Sequence, residues 1–259
     1  MIAVIGLGNI GIAMAERLVA RGREVCGVDL AEERRTAWAA ATGLTAAGSL
    51  DEVPWVEVTH VLVIVRLTHQ VEAVLGELES RVADGTAVVV ATTLDIEWAG
   101  KELEGWSGRR WRLVELPVSG GESGARAGTL TLLAAGATDE RDDEFLGDLG
   151  TTTVRFPDYG QPTVAKLLNN VSAAYTALAY AEIVLLADRM GMGAGQLAEI
   201  LSTSSGGSWM GNHFLVLTDD LLAKDVELLR SQVGDLPAVE LNGEVDLVAR
   251  LREARALLQ

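Results

Sequence analysis

Short β-branched runs alternate with amphipathic stretches through the first half of the chain. IAVIG at the N-terminus is followed by a helix pattern from about Asn9 to Ala20. REVCGVD precedes AEERRTAWAAATG, HVLVIV precedes HQVEAVLGELESRVA, and TAVVVAT comes next. Strands alternating with helical stretches predict βαβ units and a parallel sheet. The strand runs are continuously apolar, as expected when helices cover both faces. Three further runs, WRLVELPVS, GTLTLLAAG and TTTVRF, read as strands that complete the sheet. FPDYGQP then punctuates the chain, and from about Thr163 onward the pattern is helical. The predicted class is α/β: a doubly wound, mostly parallel sheet over residues 1–157, then an all-helical domain over residues 158–259. The last stretch, EVDLVARLREARALLQ, reads as one amphipathic helix. VSAAYTALAYAEIVLLA is interrupted by Glu182 and falls short of the ~20 apolar residues of a membrane span, so a buried helix is expected there.

Composition narrows the partners. The 259 residues carry a net charge of -16, which argues against nucleic acid and against an anionic lipid surface. A small anionic ligand remains compatible, because local donors can outweigh bulk charge. Cys26 is the single cysteine, so no internal disulfide forms. Met1 runs into a strand-like segment without a basic leader. Together these features lead to the expectation of a cytoplasmic protein. His60, His69 and His213 lack metal-ligand spacing, and no metal is expected. Three lysines, Lys101, Lys166 and Lys224, stand against eighteen arginines. Where a plain positive charge suffices this chain uses Arg, so each lysine raises the question of what Arg cannot do there.

GLGNIG, comprising Gly6, Leu7, Gly8, Asn9, Ile10 and Gly11, fits G-x-G-x-x-G. Gly6 permits a tight turn, Gly8 lets the backbone approach a pyrophosphate, and Gly11 allows close helix–strand packing. The following helix N-terminus offers N–H groups to the anion. The hexapeptide follows a strand, opens a helix, and is followed by a second strand ending in Asp29, at the spacing expected for a ribose contact. This is the context of a Rossmann dinucleotide-binding unit. Asp29 accepts from a 2′-hydroxyl and repels a 2′-phosphate, which favours NAD over NADP. Arg34 and Arg35 soften that preference only if they leave the solvated helix face where arginines ordinarily sit.

Two more segments carry chemistry. In GQPTVAKLLNN, Lys166, Asn169 and Asn170 are spaced i, i+3, i+4 and share one helix face. An amine beside two amides is unusual in a helix otherwise rich in Leu, Val and Ala. Lysine can shift its pKa and exchange protons where arginine cannot. In ELPVSGGESGARAGTLTLLAAG, Gly120 and Gly121 leave backbone N–H groups unobstructed and Ser119 adds a hydroxyl, a set able to hold a carboxylate.

With GLGNIGIAMAERL, these two strings resemble the β-hydroxyacid dehydrogenase family, which includes 3-hydroxyisobutyrate dehydrogenase and tartronate semialdehyde reductase. The resemblance runs over nearly the whole chain. It implies that Ser119, Gly120 and Gly121 form the substrate-binding loop, that Lys166 is the catalytic lysine, and that Asn170 binds substrate. It further implies that Thr93 contacts the cofactor and that Lys224 lies near the nicotinamide. Val65 and Arg66, just past the third strand, fall where the family has a Leu-Pro pair over the cofactor. Trp209, in SSGGSW, matches a stretch near the cleft. The chain is shorter than usual for the family, mainly between His213 and Lys224 and near the C-terminus, which leaves substrate size and oligomeric state open. 6-Phosphogluconate dehydrogenases are similar in the first domain but have His-Asn after the lysine. Imine reductases usually replace the lysine.

The expected function is hydride transfer between NAD or NADP and a small β-hydroxyacid or its aldehyde or keto acid, with Lys166 as general acid and base. A homodimer or larger homo-oligomer is implied by the family. The rival readings are an imine or specialised carbonyl reductase, and a cofactor-binding module without turnover.

Overall fold

The first four predicted strands bury nearly every residue on both faces. In a computed structural model, which describes residues 1–136, 138–216, 219–237 and 239, they are β1 (Ile2–Ile5), β2 (Val25–Val28), β3 (His60–Val63) and β4 (Ala87–Val90). Side chains alternate across the sheet. Ile2, Val4, Leu62 and Val89 pack in one apolar cluster, and Ala3, Ile5, Val61, Val63, Val88 and Val90 in another. Helix α1 (Asn9–Ala20) packs Met14 and Leu18 into the first cluster, and α2 (Glu32–Thr42) adds Trp38. On the opposite face α3 (Thr68–Leu78) packs Val71, Leu75 and Leu78, and α4 (Ile96–Ser107) packs Ala99 and Leu103. This is the two-layer covering that the continuous apolar runs require.

The sheet extends through β5 (Arg112–Glu115), β6 (Val118–Ser119), β7 (Leu130–Gly136) and β8 (Gly150–Arg155). The strand order is β2-β1-β3-β4-β5-β7-β6, and β8 pairs with β7. β2, β1, β3, β4 and β5 are parallel, and β7 runs antiparallel to β5 and β6. WRLVELPVS is therefore two strands rather than one. Pro117 has no N–H for a ladder, so the run breaks there and β6 pairs with β7. Helices α5 (Gly121–Ala127) and α6 (Glu140–Leu149) complete this half. Asp139 caps α6, accepting the N–H groups of Arg141 and Asp142 at 2.9 and 3.2 Å.

The remaining described elements are helical: α7 (Gln161–Arg189), α8 (Ala194–Thr203), α9 (Trp209–Asn212) and α10 (Asp219–Val233). The fold is thus a Rossmann sheet followed by a helical region. The chain divides into two compact units inside α7, after Leu168, whereas the pattern break at residues 157–158 lies in the turn before that helix. The expected C-terminal helix, EVDLVARLREARALLQ, lies outside the described residues.

One expectation is corrected here. The stretch VSAAYTALAYAEIVLLA reads as a buried helix, yet only 11% of the most apolar window of α7, the helix that contains it, is buried, and by length and composition that helix could cross a membrane. Leu178, Ile183 and Leu185 are exposed. Apolar composition marks a face that avoids water, but it does not specify whether the covering surface belongs to the same protomer.

Candidate active site

The turn after β1 separates the three motif glycines by role. Gly6 has φ +101, and a Cβ on it would lie 2.5 Å from the carbonyl oxygen of Ile64, just past β3. A Cβ on Gly11 would lie 2.0 Å from the Gly6 carbonyl oxygen. Both glycines are demanded by the fold's own packing. Gly8 is different. It is the N-cap of α1 with φ -67, and a Cβ there would meet nothing within 4 Å. No side chain caps α1, and its first turn holds no acidic residue. This open cradle at a helix N-terminus fits a dinucleotide pyrophosphate. It lies at the carboxyl ends of β1 and β3, where the strand order reverses, the usual ligand crevice of such sheets.

Asp29, just after β2, grips this turn. Its Oδ2 accepts the Leu7 N–H at 2.8 Å, and its Oδ1 accepts the Ala31 N–H at 2.8 Å. Arg34 and Arg35 are not merely solvated. Arg35 donates to the carbonyl oxygens of Asp29 and Leu30, both at 2.8 Å, and Arg34 donates to Asn9 Oδ1 at 3.1 Å.

The loops after β3 and β4 leave the sheet at the same carboxyl ends of its strands. Gln70 Oε1 accepts the N–H groups of Arg66 and Leu67 at 3.1 and 3.0 Å. The Thr92 hydroxyl donates to the Val65 carbonyl at 2.8 Å, and the Asp95 N–H donates to Thr68 Oγ1 at 2.9 Å. Val65 is half-buried, Arg66 is exposed, and Thr93 is half-buried between these ties.

Ser119 ends β6, paired with Thr131. Gly120 follows with φ +132 and Gly121 with φ +65, so the VSGG segment needs glycine at both positions for its backbone alone. Gly121 also opens α5.

Lys166 lies in the second turn of α7 and is half-buried. The start of that helix is fixed by a residue whose role the motif reading did not assign. Glu115, at the end of β5, is 0% exposed. Its Oε2 accepts the Gly160 N–H at 2.6 Å, and its Oε1 accepts the Thr163 N–H at 2.9 Å and the Thr163 hydroxyl at 2.6 Å. Burial pushes the Glu115 carboxyl above its ordinary value, opposed by these hydrogen bonds. The sequence signal was a carboxylate inside the apolar string RLVELPV.

The second unit contains a polar cluster of its own. Asn169 Nδ2 donates to Asn170 Oδ1 at 3.2 Å, and Asn170 Nδ2 donates to Asp225 Oδ2 at 2.5 Å. Asp225 is buried, and Lys224 Nζ lies 3.3 Å from its Oδ1. Asn170 is thus held by a buried carboxylate rather than lying on a solvated stripe. Asp225 was missed beside Lys224 because nothing in the spacing relates it to Asn170.

The other candidates separate from these groups. Lys101 is an exposed partner of Glu97. His60 is buried at the start of β3, stacked on Phe145 and 3.2 Å from Asp142. Trp209 is half exposed and stacks on His213 with centroids 4.0 Å apart. Among the described residues no group of three or more His, Cys, Asp or Glu side chains is arranged to hold a metal.

Comparison with known proteins adds names to this geometry. Residues 1–154 match the family described as the NAD binding domain of 6-phosphogluconate dehydrogenase. Residues 160–232 match the family described as NAD-binding of NADP-dependent 3-hydroxyisobutyrate dehydrogenase. A 3-hydroxyisobutyrate dehydrogenase of Pseudomonas aeruginosa is 32% identical over 220 residues, covering 82% of this chain and 72% of that protein. An NAD-dependent L-serine dehydrogenase of the same organism is 32% identical over 213 residues, covering 80% and 71%. Among solved structures, a 3-hydroxyisobutyrate dehydrogenase from Salmonella typhimurium shares the fold with a TM-score of 0.76 at 24% identity, covering 89% of this chain and 85% of that one.

Proposed function

Because the chain belongs to the β-hydroxyacid dehydrogenase family, we propose that this NAD(P)-dependent oxidoreductase interconverts a small β-hydroxyacid and its aldehyde or keto acid. The observation that carries the reading is Gly8, a glycine that the fold's own packing does not require, set between two that it does. Its open face is explained by a ligand that must approach the backbone. Gly6 to Gly11 would cradle the pyrophosphate, Asp29 would meet the adenosine ribose, and Val65, Arg66, Thr93 and Lys224 would complete the cofactor contacts.

When bound, the nicotinamide supplies the hydride acceptor or donor. The other tasks fall to side chains. Ser119, Gly120 and Gly121 hold the substrate carboxylate through a hydroxyl and backbone N–H groups. Asn170, its amide oriented by Asp225, fixes the substrate hydroxyl. Lys166 Nζ takes the hydroxyl proton during oxidation and returns it to the carbonyl oxygen during reduction. NAD is the preferred cofactor, through Asp29. The exposed apolar side chains of α7 support a homodimer or larger homo-oligomer. 3-Hydroxyisobutyrate and L-serine, the substrates named for the two relatives, are the first compounds to test.

The test is a turnover assay of the purified protein with NAD and NADP against 3-hydroxyisobutyrate, L-serine, their esters and a set of cyclic imines. Reduced cofactor formed with the free acids and lost with the esters is the expected result. Turnover confined to imines would replace the hydroxyacid reading. Cofactor binding without turnover of any compound would reduce the protein to a binding module.

A further inference from the structure

We propose that Glu115 is a positioning residue: from the end of β5 it anchors the first turn of α7 and so sets where Lys166 stands. The proposal rests on the reading of Lys166 as the acid–base group.

Helix α7 lacks a cap of its own. The Val164 N–H closes the first turn on the Gly160 carbonyl at 2.9 Å, so Gly160 is the N-cap. A glycine has no side-chain oxygen to receive an N–H of the first turn, and Pro162 has no N–H to give. Glu115 supplies the missing acceptor from a strand, taking the N–H of the cap residue and both the N–H and the hydroxyl of Thr163. A carboxylate without solvent exposure is costly unless fully hydrogen-bonded. Packing alone would be served by Leu at that position, so the carboxylate is there for the helix start. Two further ties fix the same corner. Gly160 has φ +84 and so little room that a Cβ would lie 2.9 Å from Gly100 Cα on α4. The Tyr159 hydroxyl donates to the Leu113 carbonyl at 2.8 Å.

The consequence falls on Lys166. It stands three residues after Thr163, one turn along the same helix face and roughly 4.5 Å along the axis. A shift or tilt of the first turn therefore passes to its amine almost undiminished. The chain that carries Glu115 continues through Leu116, Pro117 and Val118 to Ser119 and Gly120. One side chain thus references the amine of Lys166 to the strand that leads into the proposed carboxylate loop. Reaction rates are sensitive on this scale: a misplacement of about 1 Å costs on the order of 100-fold.

Glu115→Gln keeps the size and turns one acceptor oxygen into an N–H donor facing another donor. It is made in the parent and in a Lys166→Ala background, and each variant is assayed for NADH binding by fluorescence and for kcat and KM with L-serine and 3-hydroxyisobutyrate. The expected result in the parent is NADH affinity and KM within about twofold and kcat lowered by about tenfold to 100-fold. In the Lys166→Ala background the same change should cost no more than about twofold, because a residue acting through Lys166 has nothing left to position. Thr163→Val removes only the hydroxyl bond and serves if Glu115→Gln does not fold, with a kcat loss of roughly threefold to tenfold and the same dependence on Lys166. Variants that bind NADH normally and keep parental kcat would overturn the proposal. So would an equal fractional loss in both backgrounds, which marks a purely structural role. Failure of the underlying reading shows separately, as near-parental kcat in Lys166→Ala itself.

Discussion

The carboxylate of Asp29 accepts the backbone N–H of Leu7 at 2.8 Å, across the gap between β2 and the turn after β1. Its other oxygen holds Ala31. The acidic residue that would choose the cofactor therefore also shapes the phosphate turn, and replacing it by Ala confuses the two effects. Asp29→Asn removes the charge and keeps one acceptor oxygen. We expect the ratio of kcat/KM for NAD over NADP to fall at least about tenfold, a solvent-screened fraction of the charge–phosphate repulsion. Arg34→Ala, which removes the cation held against Asn9, should move the ratio the other way. Steady-state assays with both cofactors check this, and an unchanged ratio in Asp29→Asn would remove Asp29 from cofactor choice.

Gly8 and Gly11 should respond oppositely to one added methyl. Gly11→Ala forces a Cβ against the Gly6 carbonyl and should destabilise the fold by about 1–3 kcal/mol. Gly8→Ala meets open space, so stability should change by less than about 1 kcal/mol, the difference between Gly and Ala at an N-cap. NADH affinity should nevertheless weaken at least about tenfold, because the methyl occupies the space of the pyrophosphate. Thermal unfolding and fluorescence titration of the two variants separate the effects.

Lys166→Ala should lower turnover by at least ~100-fold, the scale of general acid–base catalysis, with NADH affinity retained. Lys166→Arg should rescue little, because a guanidinium does not deprotonate in proteins. Activity restored by Arg would reassign Lys166 to plain electrostatic binding.

His60 predicts a pH dependence of stability. Burial holds its pKa below the ordinary histidine value of 6.5, outweighing Asp142, which raises it, while Arg112 and Arg141 lower it further. The unfolded chain therefore binds this proton more readily than the folded one. The stability contribution is whole above pH 6.5 and is lost as the pH falls below it. Thermal unfolding midpoints between about pH 7.5 and about pH 5 should fall in the parent and fall less in His60→Gln. An identical slope in the two proteins would place the effect on other groups. Asp139, held down to about 2 chiefly by its hydrogen bond from Arg141, loses its contribution only in stronger acid.

How much of this was legible depends on the range of the interactions involved. The sheet and α1 could be read because apolar runs and glycines report local requirements; each run holds strand, although WRLVELPVS divides at Pro117 into two. Helices α4 and α6 were not singled out, although Asp95 and Asp139 cap them. The first turn of α6, Glu140 to Asp143, is so polar that the apolar periodicity is diluted, and Gly100 and Gly105 interrupt the helical pattern of α4. Glu115 could be seen as odd but not explained, since its partners lie 45 and 48 residues away. The link between Asn170 and Asp225 spans 55 residues and leaves no local trace. The burial of α7 was misread because apolar composition states a need for cover without naming what covers it.

The short path from Glu115 to Ser119 leaves no slack. One end is locked to the origin of a helix and the other to the edge strand pairing with β7. Lengthening this tether by a single residue would drag either the amine or the serine loop off its mark. This stretch should therefore tolerate changes of side chain far better than changes of length.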